Sequence, residues 1–219
     1  MKERPILFSG PMVRAILAGQ KTVTRRVVKD FPVSPSGRAV LEVVPSLLPH
    51  RGDRFDVRFD LDNPRMIRCP YGAPGDRLWL RESWASADTM YQNHENDVPS
   101  VVAYRADRAG IQWSADPPRL IPDYDRNQWN WDVLSWKPSI HMPRWASRIT
   151  LAVTDVRVER LHAIDDEDAV REGVGAVTLK HSGVYREQFR VLWDAINGKR
   201  APWSSNPWVW RVAFERVTP

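Results

Sequence analysis

Hydrophobic positions along the chain fall into two periods, and each predicts its own elements. Met12, Val13, Ile16 and Leu17 recur at helical spacing, predicting a helix over 11–18. Gly10 stands where an N-cap belongs and Pro11 at the first helical position, where a missing N–H loses nothing. Gly19 suits the left-handed residue that ends a helix. A longer apolar stripe, Tyr185, Phe189, Leu192, Trp193 and Ile196, predicts an amphipathic helix over 185–196 that stops at Asn197-Gly198. A shorter helix is predicted over 166–172, with Asp165 as N-cap, acidic residues in its first turn and Gly173 as its stop.

The second period is two. Trp208, Trp210, Val212 and Phe214 alternate with Val209, Arg211, Ala213 and Glu215, which predicts a terminal strand with one apolar face, central in its sheet. Residues 148–161 read as one long strand whose inward phase changes around Asp155, a sign of a bulge or corner. RAVLEVV at 38–44 and RFDVRFDL at 54–61 read as further strands after a turn at FPVSPSG, 31–37. Gly52-Asp53-Arg54-Phe55 echoes Gly75-Asp76-Arg77-Leu78, which we read as one turn-plus-strand solution used twice rather than as a repeat. Residues 85–136 are poor in aliphatic periodicity and rich in Asp, Asn, Pro and Trp, including Trp113, Trp129, Trp131 and Trp136. A structureless loop of that length is disfavoured, so this segment is expected to pack through its aromatics, with VVAYRAD as a strand, and to serve as a lid or a base-stacking surface.

The densest polar chemistry follows the first helix. Lys21-Thr22-Val23-Thr24-Arg25-Arg26 puts a lysine, two hydroxyls and two guanidiniums within six residues. In a regular strand Lys21 and Thr24 point to opposite faces, so they converge only if Lys21 lies in the turn after Gly19. Converged, a lysine whose pKa is lowered by burial and by Arg25 or Arg26 can take the proton of the Thr24 hydroxyl. The plainer alternative is a solvated basic turn followed by an edge strand. A second concentration, 136–145, is stiffened by Pro138 and Pro143 and offers Lys137, His141 and Arg144 as donors. His141 is a candidate base, although a lone histidine commonly serves structure. Glu82 and Trp84 stand past the strand that Pro74-Gly75-Asp76 introduces, where binding residues are often found. Their plainer alternatives are an ion pair with Arg81 and a core aromatic.

AGQKTVTRR behind a short helix, the Pro-Gly-Asp-hydrophobic strand and the terminal WVWRVAFERV together resemble the ASCH domain family. The resemblance implies an α+β fold in one domain, 1–219: a small PUA-like β-barrel with flanking helices and insertions at about 29–73 and 85–145. PUA-like domains bind RNA, and the longer members that this chain resembles are common in phages and prophages. A small bacterial member hydrolyses the acetyl amide of N4-acetylcytidine with a lysine, a threonine three residues on and a distant glutamate. The resemblance places these on Lys21, Thr24 and, at the end of the corresponding helix, Glu172. On the residues alone Glu172 is a poorly placed carboxylate at the negative end of a helix dipole, for which a salt bridge to Arg171 is the plain remedy.

Composition bounds these readings. The 219 residues are 42% hydrophobic and 27% charged, the make-up of a soluble protein, but 11 tryptophans and 18 prolines are unusual. The tryptophans suit flat ligands as well as core filling. A net charge of +5 permits an anionic partner such as RNA without requiring one. Cys69 is the only cysteine, which excludes an intramolecular disulfide and a thiolate metal cage; no metal or other cofactor is implied. The N-terminus lacks a signal-peptide pattern and no segment has transmembrane length, so a cytoplasmic protein with no membrane partner is expected. Three functions compete. The first is an amidohydrolase acting on an N-acylated nucleoside, with Lys21, Thr24 and Glu172 catalytic and Arg26, Glu82, Trp84, Lys137, His141 and Arg144 binding. The others are a non-enzymatic RNA or modified-base reader and a ribonuclease.

Overall fold

Strand-forming alternation dominates the computed structural model, which describes residues 1–32, 40, 42–46, 52–58, 64–86, 101–112, 119–120, 131–174 and 184–217. Trp113, Trp129, most of the predicted turn at 31–37 and parts of the predicted strands at 38–44 and 54–61 lie outside the described residues. The fold is α+β. Its strands are β1 (Glu3–Leu7), β2 (Val23–Val27), β3 (Glu42–Pro45), β4 (Arg54–Arg58), β5 (Arg65–Arg68) and β6 (Arg77–Arg81). They continue with β7 (Trp84–Ser86), β8 (Val101–Tyr104), β9 (Ala109–Gln112), β10 (Arg119–Leu120), β11 (Thr150–Arg160) and β12 (Trp208–Val217). The α-helices among the described residues are α1 (Gly10–Leu17), α2 (Asp166–Arg171) and α3 (Val184–Asn197).

Every predicted helix forms within a residue or two of its expected limits. Gly19 has φ of +72° and Gly173 of +83°, the left-handed geometry expected at both stops. At the start of α1 the capping position shifts from Gly10 to Ser9, whose carbonyl accepts the first helical bond from Val13 N at 2.9 Å. Asp165 caps α2, its carboxylate accepting from Asp168 N at 2.8 Å.

The chain packs as two compact units, one of 1–4, 18–78 and 151–219, the other of 5–17 and 79–150. The stretch 85–145, expected as an insertion, lies in the second unit, and 29–73 lies in the first. The five-stranded sheet has the order β1-β6-β11-β12-β2, and the first unit holds β2, β12, nearly all of β11 and the opening residues of β1 and β6. The resemblance implies a closed barrel, but the sheets of the described residues are open. Here β1 and β2 are edges, and five-residue β2 covers only half of ten-residue β12 before the chain leaves the sheet. On β11, burial at Leu151 and Val153 gives way to burial at Val156, so the expected phase change falls at Thr154–Asp155. A three-stranded sheet of order β3-β4-β5 belongs to the same unit. The Gly-Asp turns that precede β4 and β6 match: Gly52 has φ of +85° and Gly75 of +86°, and both aspartates are buried.

The main apolar core of this unit lies where α2 and α3 meet β12: Leu161, Ile164, Ala169, Phe189, Trp193 and Val209 are buried together. Trp193 also settles its indole N–H on Ala201 O at 2.8 Å. In the second unit the sheet β10-β9-β8-β7 is apolar on both faces. Val101 and Ala103 pack with Ala85 and Leu134, against the stacked rings of Trp131 and Trp136, while Val102 and Tyr104 pack with Trp84, Met142 and Ala146. The aromatics of the Trp-rich segment thus serve as core where they are described. Among the described residues no helix is long and apolar enough to cross a membrane.

Phe189 is 3% exposed at the centre of the helical core. Phe189→Ala is expected to lower unfolding free energy by about 3–5 kcal/mol, measured by urea denaturation.

Candidate functional site

Lys21 lies ahead of β2 rather than within it. It forms an isolated antiparallel bridge with Glu172. Thr22 fixes the turn from both sides. Its N–H donates to Arg171 O at the end of α2, and its carbonyl accepts from Phe214 N of β12, each at 2.9 Å. The turn at Ala18–Gly19 is exposed and β2 is an edge strand, but Lys21 itself is buried rather than part of a solvated basic turn.

The Lys21 ammonium is fully buried and its three protons meet three acceptors: Val23 O at 2.8 Å, Glu172 O at 2.8 Å and Glu172 Oε2 at 2.6 Å. Burial pushes its pKa below the ordinary lysine value. Glu172 opposes that shift, while Arg26 and Arg25 add to it. Glu172 Oε1 is 3.4 Å from Arg25 Nη1. A carboxylate that faces the negative end of α2 is thus compensated by two cations, neither of them the adjacent Arg171, which pairs with Glu167 instead.

Behind this pair lies a larger ionic cluster. Arg25 and Arg211 are direct cross-strand partners on β2 and β12, a like-charge pairing that is unfavourable by itself. Asp168 resolves it. Arg25 Nη2 donates to Asp168 Oδ2 at 2.5 Å, and Arg211 grips both carboxylate oxygens at 2.8 Å. Glu159 takes the Arg25 Nε at 2.9 Å and Asp155 lies 3.3 Å from Arg211 Nη1. The hydrogen bonds from Arg211 and Arg25 hold the Asp168 carboxyl far below the usual range, against the opposing effect of burial.

Thr24 is 2% exposed and lies opposite Val212 in the register of β2 and β12. Alternation puts Thr24 and Arg26 on one face of β2, with Val23 and Arg25 on the other. Lys21, Thr24, Arg26 and Glu172 all belong to the first unit.

Glu82, Trp84, Lys137, His141 and Arg144 belong to the second. Glu82 was expected at a pocket rim or in an ion pair with Arg81. It is instead 1% exposed and held in a two-pronged pair by Arg148, Nε to Oε1 at 2.9 Å and Nη2 to Oε2 at 3.0 Å. Arg148 also binds Asp107 and stacks over Tyr104 at 4.1 Å, and although burial works against its charge, Glu82 and Asp107 lift its pKa above the ordinary guanidinium value. Arg81 turns to Met142 O. Trp84 is a core aromatic with the Lys137 ammonium 4.8 Å above its ring and Trp145 edge-on at 6.0 Å. Lys137, His141 and Arg144 are exposed.

The sequence reading gave no place to Asp168, Arg211, Glu159 or Asp155. One signal was available for Arg211, a guanidinium in the middle of an otherwise apolar strand, which needs a carboxylate that the strand itself does not supply. No protein family, curated protein or solved structure matches the chain.

Two stability outcomes follow from the cluster. The Asp168 pKa is lower in the folded protein than its ordinary value of 3.8, so the unfolded chain binds more protons between the two values. Its contribution is complete above about pH 4 and is lost as pH falls through the carboxylate range. Thermal melts over pH 2–7 are expected to show a shallower acid decline in Asp168→Asn than in the wild type. Separately, Glu172→Leu leaves the Lys21 ammonium buried beside Arg25 and is expected to cost about 3–5 kcal/mol. Adding Lys21→Met is expected to recover much of that loss in the same denaturation assay.

Proposed function

We propose that this protein is an amidohydrolase of the ASCH, PUA-like kind that removes the acyl group from N4-acetylcytidine or a related N-acylated nucleoside. The observation that carries the reading is the Lys21 ammonium, held without solvent contact against Glu172 three residues before a buried threonine. The α+β architecture, strand-rich with few helices and open sheets among the described residues, is compatible with an elaborated domain of that class.

In this mechanism the Thr24 hydroxyl attacks the amide carbonyl. A threonine is un-ionised at neutral pH and needs a base; a lysine serves as one only when neutral, and burial moves Lys21 in that direction. Lys21 Nζ takes the Thr24 proton as the Oγ–C bond forms, then passes it to the exocyclic nitrogen as the C–N bond breaks. Cytidine leaves, and water cleaves the acyl-threonine with Lys21 again as base. Glu172 fixes the amine through the 2.6 Å contact, and Arg26, on the Thr24 face of β2, supplies positive charge for the oxyanion.

A second reading, a nucleic-acid or modified-base reader, is favoured by one observation in the second unit. Trp145 is 39% exposed and sits against Trp84, with the Lys137 ammonium over the Trp84 ring and His141 and Arg144 exposed nearby in the chain.

Incubation with a panel of acylated nucleosides, scored by product mass, tests the first reading. Thr24→Val and Lys21→Met are each expected to remove nearly all turnover, Thr24→Ser to retain part, and the double variant to be scarcely worse than either single one. The wild-type rate is expected to rise with pH through a group titrating below the ordinary lysine value of 10.5. Robust deacylation by correctly folded Thr24→Val would rule the mechanism out. Binding of RNA without turnover of any acylated nucleoside would favour the reader.

A further inference from the structure

The face of the β2–β12 pair that carries Thr24 and Arg26 also carries Trp210, the cross-strand partner of Arg26. Trp210 is one wall of a cavity of about 410 Å³ in the first unit, large enough for a small ligand. Tyr71 is another wall. Its phenol is pushed above its ordinary pKa by burial, with the Arg26 charge pulling the other way, so Arg26 acts electrostatically on this cavity wall. Two further lining residues are cations, Lys29 and Arg68, and among the described residues no carboxylate lines the cavity. Arg68 is half exposed, and its Nε is anchored on the buried Asp53 carboxylate at 2.7 Å. That bond leaves the two amino groups of the guanidinium without a partner among the described residues. Apolar walls from Val28 and Ile67 complete the cavity.

Two aromatic rings, two cations and apolar walls without an acidic group make a surface for a planar ring that bears an anion. We propose that this cavity is a nucleotide site, taking the base against Tyr71 and Trp210 and the phosphate at Arg68 and Lys29. Asp53 holds the Arg68 fork in place, so the phosphate meets a guanidinium that is already oriented. Five of the lining residues, Lys29, Ile67, Arg68, Pro70 and Tyr71, come from the 29–73 stretch expected as an insertion, so the site would distinguish this chain from a plain nucleoside hydrolase. The choice of cytosine as the base rests on the amidohydrolase reading; the ring-plus-phosphate chemistry does not.

The test is direct binding, which requires no turnover and so fails or succeeds independently of the deacylation assay. Tryptophan fluorescence and calorimetry would be followed as cytidine, cytidine 5′-monophosphate and a short cytidine-rich RNA oligonucleotide are added to the wild type, Lys29→Glu, Arg68→Gln and Tyr71→Leu. The monophosphate is expected to bind at least about tenfold more tightly than cytidine, the equivalent of one charge-assisted hydrogen bond. Lys29→Glu and Arg68→Gln should each weaken it by a similar factor, with Tyr71→Leu reducing the fluorescence change. Lys29 is exposed, so its variant keeps the test valid even if Arg68→Gln disturbs Asp53 and the fold. Binding of the monophosphate identifies a free nucleotide as the ligand. Variant-sensitive binding of the oligonucleotide alone identifies a nucleotide unit within a strand. Equal affinity for cytidine and its monophosphate, no binding of either phosphorylated ligand, or undiminished binding in both charge variants would overturn the proposal.

Discussion

The Asp168 carboxylate, held between two arginines on neighbouring strands, is the interaction on which the first unit depends. Arg25 and Arg211 face each other across β2 and β12, and without a shared anion that register would set two buried cations side by side. Asp168 comes from the first turn of α2, so one carboxylate both fixes the pairing of β2 with β12 and docks the helix on them. The position of Glu172 follows from that docking. It is the C-cap of the same short helix, and it reaches Lys21 because the helix is already held. Lys21 is therefore placed by contacts made elsewhere in the cluster.

That arrangement sets opposing forces on Lys21. Removal from water destabilises the ammonium, and Arg25 and Arg26 add to the effect; the carboxylate at 2.6 Å retains it. The net effect is a pKa below the ordinary lysine value, the direction that the proposed base role needs. On the opposite face of β2, Thr24 and Arg26 share their surface with Trp210. One five-residue strand thus divides its labour, with one side devoted to the ionic scaffold and the other sharing its face with a wall of the cavity.

Much of this was legible in the sequence, for reasons of period and capping. The α2 helix follows from Asp165 and Gly173, β12 from its strict alternation, and the left-handed Gly19 leaves Lys21 ahead of the strand rather than in it. The unusual location of Glu172 at a helix end was also visible. Its partners were not, because the contacts from Arg25 to Asp168 and from Arg211 to the same carboxylate span 143 and 43 residues. No local pattern encodes such pairings. Glu82 illustrates the reverse error: its place past a strand resembles a binding position, yet Arg148, 66 residues away, takes both of its oxygens. The closed barrel was inferred from resemblance, and a β2 only half as long as β12 is a property of chain length that residue periodicity did not reveal.

The opposed arginines have a consequence for how such a sequence can drift. Arg25, Asp168 and Arg211 support one another: without the aspartate Arg25 keeps Glu159 and Glu172 and Arg211 keeps Asp155, but the two guanidiniums lose the one anion they share, and without them the aspartate is a stranded anion. A lineage passing through single substitutions would meet a less stable protein at every first step. The three positions are therefore expected to change together, for example to apolar residues of similar volume.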